Sequence, residues 1–207
     1  MVRQIAHIII PPREKRSATF RVFTAETTPE EEANRGLLFG LFVIDYYHHR
    51  NEEILDSIVE ELQSRYYDPD IAAREPEELL EETIRSLNTT LAHLIENEQI
   101  FLNIKRFHAV IGVLRGKALT FTHLGDFNIF LLHQSVTQKQ HLINLIATTD
   151  TKEESKSPPI TRIFSNLVSG TLRTNDEVFC TTNNLLDYCT KERLQKIIAT
   201  PPPPQAL

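Results

Sequence analysis

FHAVIGVLRGKALTFTHLGDFNIFLLH, Phe107 to His133, is the stretch whose reading decides the fold of this chain. It predicts three consecutive strands, Phe107 to Leu114, Leu119 to Leu124 and Phe127 to His133, joined at Arg115-Gly116-Lys117 and at Gly125-Asp126. Both joints carry tight-turn chemistry, because glycine reaches positive φ without a Cβ penalty and aspartate hydrogen-bonds its own backbone. In the first strand Phe107, Ala109, Ile111 and Val113 alternate with His108, Val110, Gly112 and Leu114, so neither face is polar. A strand of this kind is covered on both sides by a second sheet or by helices.

Outward from that unit, Gly36 to Asp45, GLLFGLFVID, is a further strand apolar on both faces that ends on a carboxylate. Ser17 to Ala25 alternates as a strand. Gln4 to Ile10 reads as an edge strand stopped by Pro11-Pro12, which cannot donate to a ladder. Thr27 to Asn34 reads as an acidic connection. Two helices follow. From Asn51 to Tyr66 the stripe Ile54, Leu55, Ile58, Val59 and Leu62 faces inward, with Asn51 as the expected N-cap. From Glu75-Pro76 to about Asn97, Leu80, Ile84, Leu87, Leu91 and Leu94 form the seam of a helix against its neighbour.

Beyond the central strands, His141 to Ala147 is a short strand and Thr148 to Pro159 a polar loop. Leu167 to Leu172 and Glu177 to Thr181 are strands around the turn Arg173 to Asp176. Asn183 to Tyr188 and Lys191 to Ile198 are short helices, the second capped by Thr190. The order predicts one domain over residues 1–199. Residues 200–207, rich in proline, read as a stiff spacer, and we expect the native product to continue past it.

Composition bounds the function. The 207 residues are 41% hydrophobic and 24% charged, ordinary for a globular protein. Arg50 to Glu98 holds 14 of the 28 acidic residues and 4 of the 22 basic ones, −10 against +4 for the remainder. No basic stripe is left for a phosphate backbone, so we expect no nucleic acid partner. The longest apolar run, Gly36 to Ile44, is about half of the ~20 residues a spanning helix needs, and the amino terminus is no signal peptide. Cys180 and Cys189 have no metal-site spacing and read as reduced and buried, which suits the cytoplasm.

The ordered set GLLFGLFVID, a helix pair, FHAVIGVLRGKALTFTHLGDFNIFLL, ITR and LVSGTLRTNDEVFCTTNNLLDY resembles the PPM-type, or type-2C, metal-dependent serine/threonine protein phosphatases over roughly Leu37 to Ile198. The resemblance implies an α+β fold of two packed antiparallel β-sheets flanked by helix pairs. It also implies two Mg²⁺ or Mn²⁺ ions that share carboxylates and activate a bridging water. Two dications about 4 Å apart repel by roughly 16 kcal/mol at an effective dielectric near 20, so several aspartates must neutralise them. Asp45 matches the family's first metal aspartate, and Asp126 in the Gly-Asp turn is a weaker candidate ligand.

At other positions the chain departs from the family pattern. Tyr46 and Tyr47 stand where the family has Gly and His, and Thr181-Thr182-Asn183 stands where it has Ser/Thr-Asp-Gly. The family's amino-terminal Arg and Asn-Glu-Asp motif have no counterpart among Ser17 to Arg35. Its closing Asp-Asn motif would fall beyond Leu207. We therefore expect a degenerate, catalytically silent member, a pseudophosphatase with no cofactor that binds a protein partner or phosphoprotein. The alternative is an active Mn- or Mg-dependent phosphatase with substitute ligands drawn from Asp45, Asp126, Asp187 and the acids between Glu26 and Glu32. A third reading is a dimerisation module acting through the helix seam.

The retained residues also have plainer readings. Asp45 can cap the turn into the helix and Asp126 can serve its turn. His48-His49 fits a helix-entry loop with side chains pointing apart. His108, His123 and His133 fit satisfied sheet histidines.

Overall fold

Apolar strands with turns at glycine, and helices with one apolar stripe, assemble in the computed structural model into two antiparallel sheets with helices. Residues 18–71, 75–97, 100–134, 140–146 and 162–198 are described. The strand expected over Gln4 to Ile10, the loop Thr148 to Pro159 and the tail 200–207 lie outside them. The chain divides into two compact units, Met1–Gly125 with Ser157–Gly170, and Asp126–Lys156 with Thr171–Leu207.

The first unit carries strands β1 (Thr19–Thr24), β2 (Leu37–Ile44), β3 (Phe107–Arg115), β4 (Ala118–Leu124) and β7 (Val168–Thr171), in the sheet order β1-β2-β3-β4-β7. Antiparallel register places Thr19 opposite Ile44, Leu37 opposite Leu114 and Ala109 opposite Leu124. Helices α2 (Asn51–Tyr66) and α3 (Pro76–Glu96) pack on one another, α2 also against β1 and β2, and α3 against β3. Leu38, Phe42 and Ile44 from β2 join Ile54, Leu55, Ile58 and Leu62 from α2 and Leu80, Leu87 and Leu91 from α3 in one core. Each such side chain, fully buried, contributes about 1.5–3 kcal/mol. Val110, on the other face of β3, is buried as well, as expected for a strand covered on both sides.

The segment read as an acidic connection is helix α1 (Pro29–Arg35). The Thr28 hydroxyl accepts the Glu31 N–H at 3.2 Å and the Glu31 carboxylate accepts the Thr28 N–H at 2.8 Å, a capping box with Pro29 in the first turn. Arg35, in the last turn of α1, donates to the carbonyls of Tyr66, Asp68 and Ile71, while the Tyr66 hydroxyl donates to the Arg35 carbonyl at 2.6 Å. Carbonyls left open where α2 ends are satisfied by this side chain from 31 residues earlier. Tyr67 adds a second tie, donating to the Gly36 carbonyl at 2.9 Å and accepting the Leu38 N–H at 3.0 Å.

Asn51 is a correction of a different kind. It is the first residue of α2, wholly buried, and makes no cap; Arg50 holds the N-cap position. The Asn51 amide instead donates to the Tyr46 carbonyl at 2.7 Å and to Thr19 Oγ1 at 3.2 Å. A further buried amide, Asn88 on α3, reads the backbone of Phe164 in both directions, at 2.8 and 3.0 Å. Phe164 also meets Phe107 edge-on, with centroids 6.2 Å apart. These contacts seat residues 162–170 on this unit.

The second unit is a three-stranded sheet ordered β6-β5-β8, with β5 (Phe127–Gln134) central between β6 (Gln140–Asn144) and β8 (Glu177–Thr182). Register sets Phe127 opposite Thr182 and Phe130 opposite Asn144. Helices α4 (Leu185–Tyr188) and α5 (Lys191–Ile198) follow; α5 packs against β6, and its Leu194 is buried. The Thr190 hydroxyl caps α5 by accepting the Arg193 N–H at 3.3 Å. Both cysteines are free, as expected, but half-buried by exposure.

Candidate functional site

In the first unit the site begins where β2 runs out. The Asp45 N–H donates to the Arg106 carbonyl at 2.8 Å, extending the β2–β3 pairing by one residue and leaving the Asp45 side chain at the corner. Its carboxylate lies 3.4 Å from Arg106 Nη2, with the two side chains 57% and 50% exposed. An ion pair this open contributes about 0–1 kcal/mol. Arg106 also lies over the Tyr46 ring, 5.8 Å from its centroid.

Tyr46 builds the rest of the corner. Its hydroxyl accepts the Asn103 N–H at 3.0 Å and donates to the Phe101 carbonyl at 3.2 Å, and its ring meets Phe101 edge-on at 5.9 Å. Burial raises the Tyr46 phenol above its ordinary value. His48 and His49 do not point apart: their rings lie 4.4 Å from centroid to centroid, and His48 sits 6.3 Å from Phe101. His48 Nδ1 accepts the Arg50 N–H at 3.3 Å, which leaves Nε2 to carry the proton in the neutral ring.

In the second unit, Asp126 is exposed in its turn, and its carbonyl accepts the Asn183 N–H at 3.2 Å. Behind it runs a chain of amides. The Ile146 N–H donates to Asn144 Oδ1 at 3.1 Å, Asn144 Nδ2 donates to Asn128 Oδ1 at 2.9 Å, and Asn128 Nδ2 donates to Asn183 Oδ1. Asn128 is buried, and Thr181 lies opposite it in the sheet. The end of β8 therefore presents Thr181, Thr182 and Asn183, hydroxyls and an amide tied into the sheet. The sequence reading did not anticipate this chain. Its signal was an asparagine at an inward position of the otherwise apolar Phe127 to Leu132.

His133, read from the sequence as a satisfied sheet histidine, has partners at both ring nitrogens. Its Nδ1 lies 2.7 Å from the nearly buried carboxylate of Asp176, which also accepts the Arg173 N–H at 2.7 Å, and Arg173 Nη1 approaches His133 Nε2 at 3.4 Å. Together with Asn175 at φ 71°, these bonds fix the turn between β7 and β8.

Among the described residues no group of three or more His, Cys, Asp or Glu side chains is arranged to hold a metal ion. Of the substitute acids, Glu31 is engaged in its capping box, where the bonds from Thr28 hold its carboxyl below the usual range. Glu26, Glu30 and Asp187 are exposed.

No family model and no curated protein matches the chain. Solved structures do. A bacterial serine phosphatase bearing an arginine-to-glutamate mutation is 15% identical, with 91% of this chain and 86% of that chain covered and a TM-score of 0.56. The catalytic domain of the serine/threonine protein phosphatase PstP, in complex with 2 manganese ions, is 17% identical over 89% and 84%, at 0.55. PppA, a regulatory component of the type VI secretion system in Pseudomonas aeruginosa, is 12% identical over 90% and 85%, also at 0.55. At such identities the likeness defines the fold. This chain has the α+β fold of the PPM-type serine/threonine phosphatases, in agreement with the resemblance read from its motifs.

Proposed function

We propose that this chain is a PPM-type phosphatase-like domain without phosphatase chemistry, a pseudophosphatase that serves as a binding or regulatory module for a protein or phosphoprotein in the cytoplasm. The domain spans residues 1–199, with 200–207 as a proline-rich tail or linker. One observation carries the reading: where the family places a metal carboxylate, Thr182 offers a hydroxyl, and the neighbouring Asn183 oxygen already accepts the Asn128 amide. A neutral hydroxyl or amide supplies no charge to offset two dications. The Asp45 carboxylate is shared with the Arg106 guanidinium, whose positive charge opposes a second cation beside it. Among the described residues the donors do not fit a binuclear centre.

The second reading, an active enzyme holding Mn²⁺ or Mg²⁺ through substitute ligands such as Asp45, Asp126, Asp187 and an acidic residue from Glu26 to Glu32, is favoured by the retention of Asp45 as an exposed carboxylate at the end of β2. Incubation of the purified protein with a phosphoserine peptide and Mn²⁺ decides between them. The proposal expects no phosphate release and no heat of Mn²⁺ binding. Turnover that disappears in Asp45→Ala overturns it.

A further inference from the structure

We infer that the corner built by Tyr46, Tyr47, His48, Phe101, Lys105 and Arg106 is a docking site for an anionic peptide segment, one that presents a phosphoryl or carboxylate group beside an apolar side chain. The inference rests on the binding-module reading and names its ligand class.

Phe101 and Tyr47 are 59% and 60% exposed, among the few large apolar side chains of the described residues left so open. Phe101 is not a loose loop tip. The Tyr46 hydroxyl grips its carbonyl, Asn103 closes the same hydroxyl from the other side, and the rings of Tyr46 and His48 flank it. An aromatic ring held in place and left open to water loses little entropy on contact, which is what a binding anchor requires.

The charge around it selects the partner. Lys105 and Arg106 are consecutive and exposed, His48 sits 6.3 Å from Phe101 with the His49 ring against it, and Asp45 meets Arg106 at only 3.4 Å in solvent. A phosphoryl group forms shorter and better-charged bonds with a guanidinium than that pair does. The nearest acids of α2 are engaged, Glu53 with Arg50 at 2.8 Å and Glu52 with Arg21 at 2.9 Å, which leaves Lys105 and Arg106 as the cationic side of the corner that an anionic segment can approach.

The test uses the full chain and three synthetic peptides with leucines flanking a central phosphoserine, glutamate or serine, followed by fluorescence anisotropy. The phosphoserine or glutamate peptide is expected to bind and the serine peptide not. Phe101→Ala and Arg106→Ala should each weaken binding by about tenfold or more while the melting temperature holds, and Arg106→Ala should flatten the salt dependence. Binding by both anionic peptides assigns charge as the requirement; binding by the phosphopeptide alone assigns phosphate. The inference is overturned if none of the peptides binds or if both variants bind like the parent. It is equally overturned if the corner instead takes a single-stranded oligonucleotide, or if it mediates self-association that Phe101→Glu abolishes. Phosphate release from the bound phosphopeptide under Mn²⁺ would overturn the pseudophosphatase reading and leave the docking site standing. Absence of both binding and release overturns the docking site alone.

Discussion

Arg106 reaches back across the β2–β3 corner to set its guanidinium 3.4 Å from the carboxylate of Asp45, while its carbonyl accepts the Asp45 N–H at 2.8 Å. The backbone bond holds the corner and the side-chain pair sets its charge. The two can be separated by mutation. A double-mutant cycle of Arg106→Ala and Asp45→Asn, read by urea denaturation, should give a coupling of about 0–1 kcal/mol, because both groups remain hydrated. A coupling well above that range would mean a desolvated pair.

The amide chain of the second unit is buried where Asn128 sits, and its loss should be felt. Asn128→Ala leaves the Asn183 oxygen and the Asn144 amide without this partner. We expect a loss of about 1–3 kcal/mol in chemical denaturation, more than for Ala at exposed Asn184.

Asn88→Ala should cost about 2–4 kcal/mol, since it removes both bonds to the Phe164 backbone in a buried setting. Protease sensitivity near residues 162–170 is expected to rise with it. Unchanged proteolysis there would show that the Phe107–Phe164 ring contact suffices to hold the segment.

Gly125 has φ 71°, and a Cβ there would run into the His108 ring; Gly116 has φ 58° with open space around it. Gly125→Ala therefore meets backbone strain and a clash, whereas Gly116→Ala meets strain alone. The first should destabilise by about 1–3 kcal/mol beyond the second, measured as a difference in denaturation free energy.

Burial raises Tyr67 from 10.0 to about 12 and raises Tyr66 as well. The folded state holds these protons more tightly than the unfolded chain, so their stabilisation is complete below the ordinary tyrosine value and is lost as pH rises through the folded one. Stability should be flat up to about pH 10 and fall between there and about 12. Tyr67→Phe should remove part of that fall. A melting temperature that declines equally in both proteins counts against the assignment.

Much of the fold was legible in the chain because it rests on local rules. Two-sided apolar strands, the heptad-like seam of α3 and the Gly-Asp turn each follow from side-chain periodicity and turn chemistry, which act over a few residues. Helix α1 was missed although Thr28, Pro29 and Glu31 spell a capping box, because its acidic surface has no apolar stripe to betray it. That Thr182 stands where the resemblance expects a carboxylate is a reading of position alone.

What the sequence by itself determined is the strand and helix plan, the likeness of its motif order to the PPM-type fold, and a hydroxyl at Thr182. Only the tertiary structure decided that Asp45 faces Arg106, that Asn144, Asn128 and Asn183 join hands through their amides, and that Phe101 stands open on a corner braced by Tyr46. Each of those pairings links residues 16 or more positions apart. Such partners are chosen by how sheet register and packing bring distant side chains within hydrogen-bond reach, and no local pattern encodes that distance.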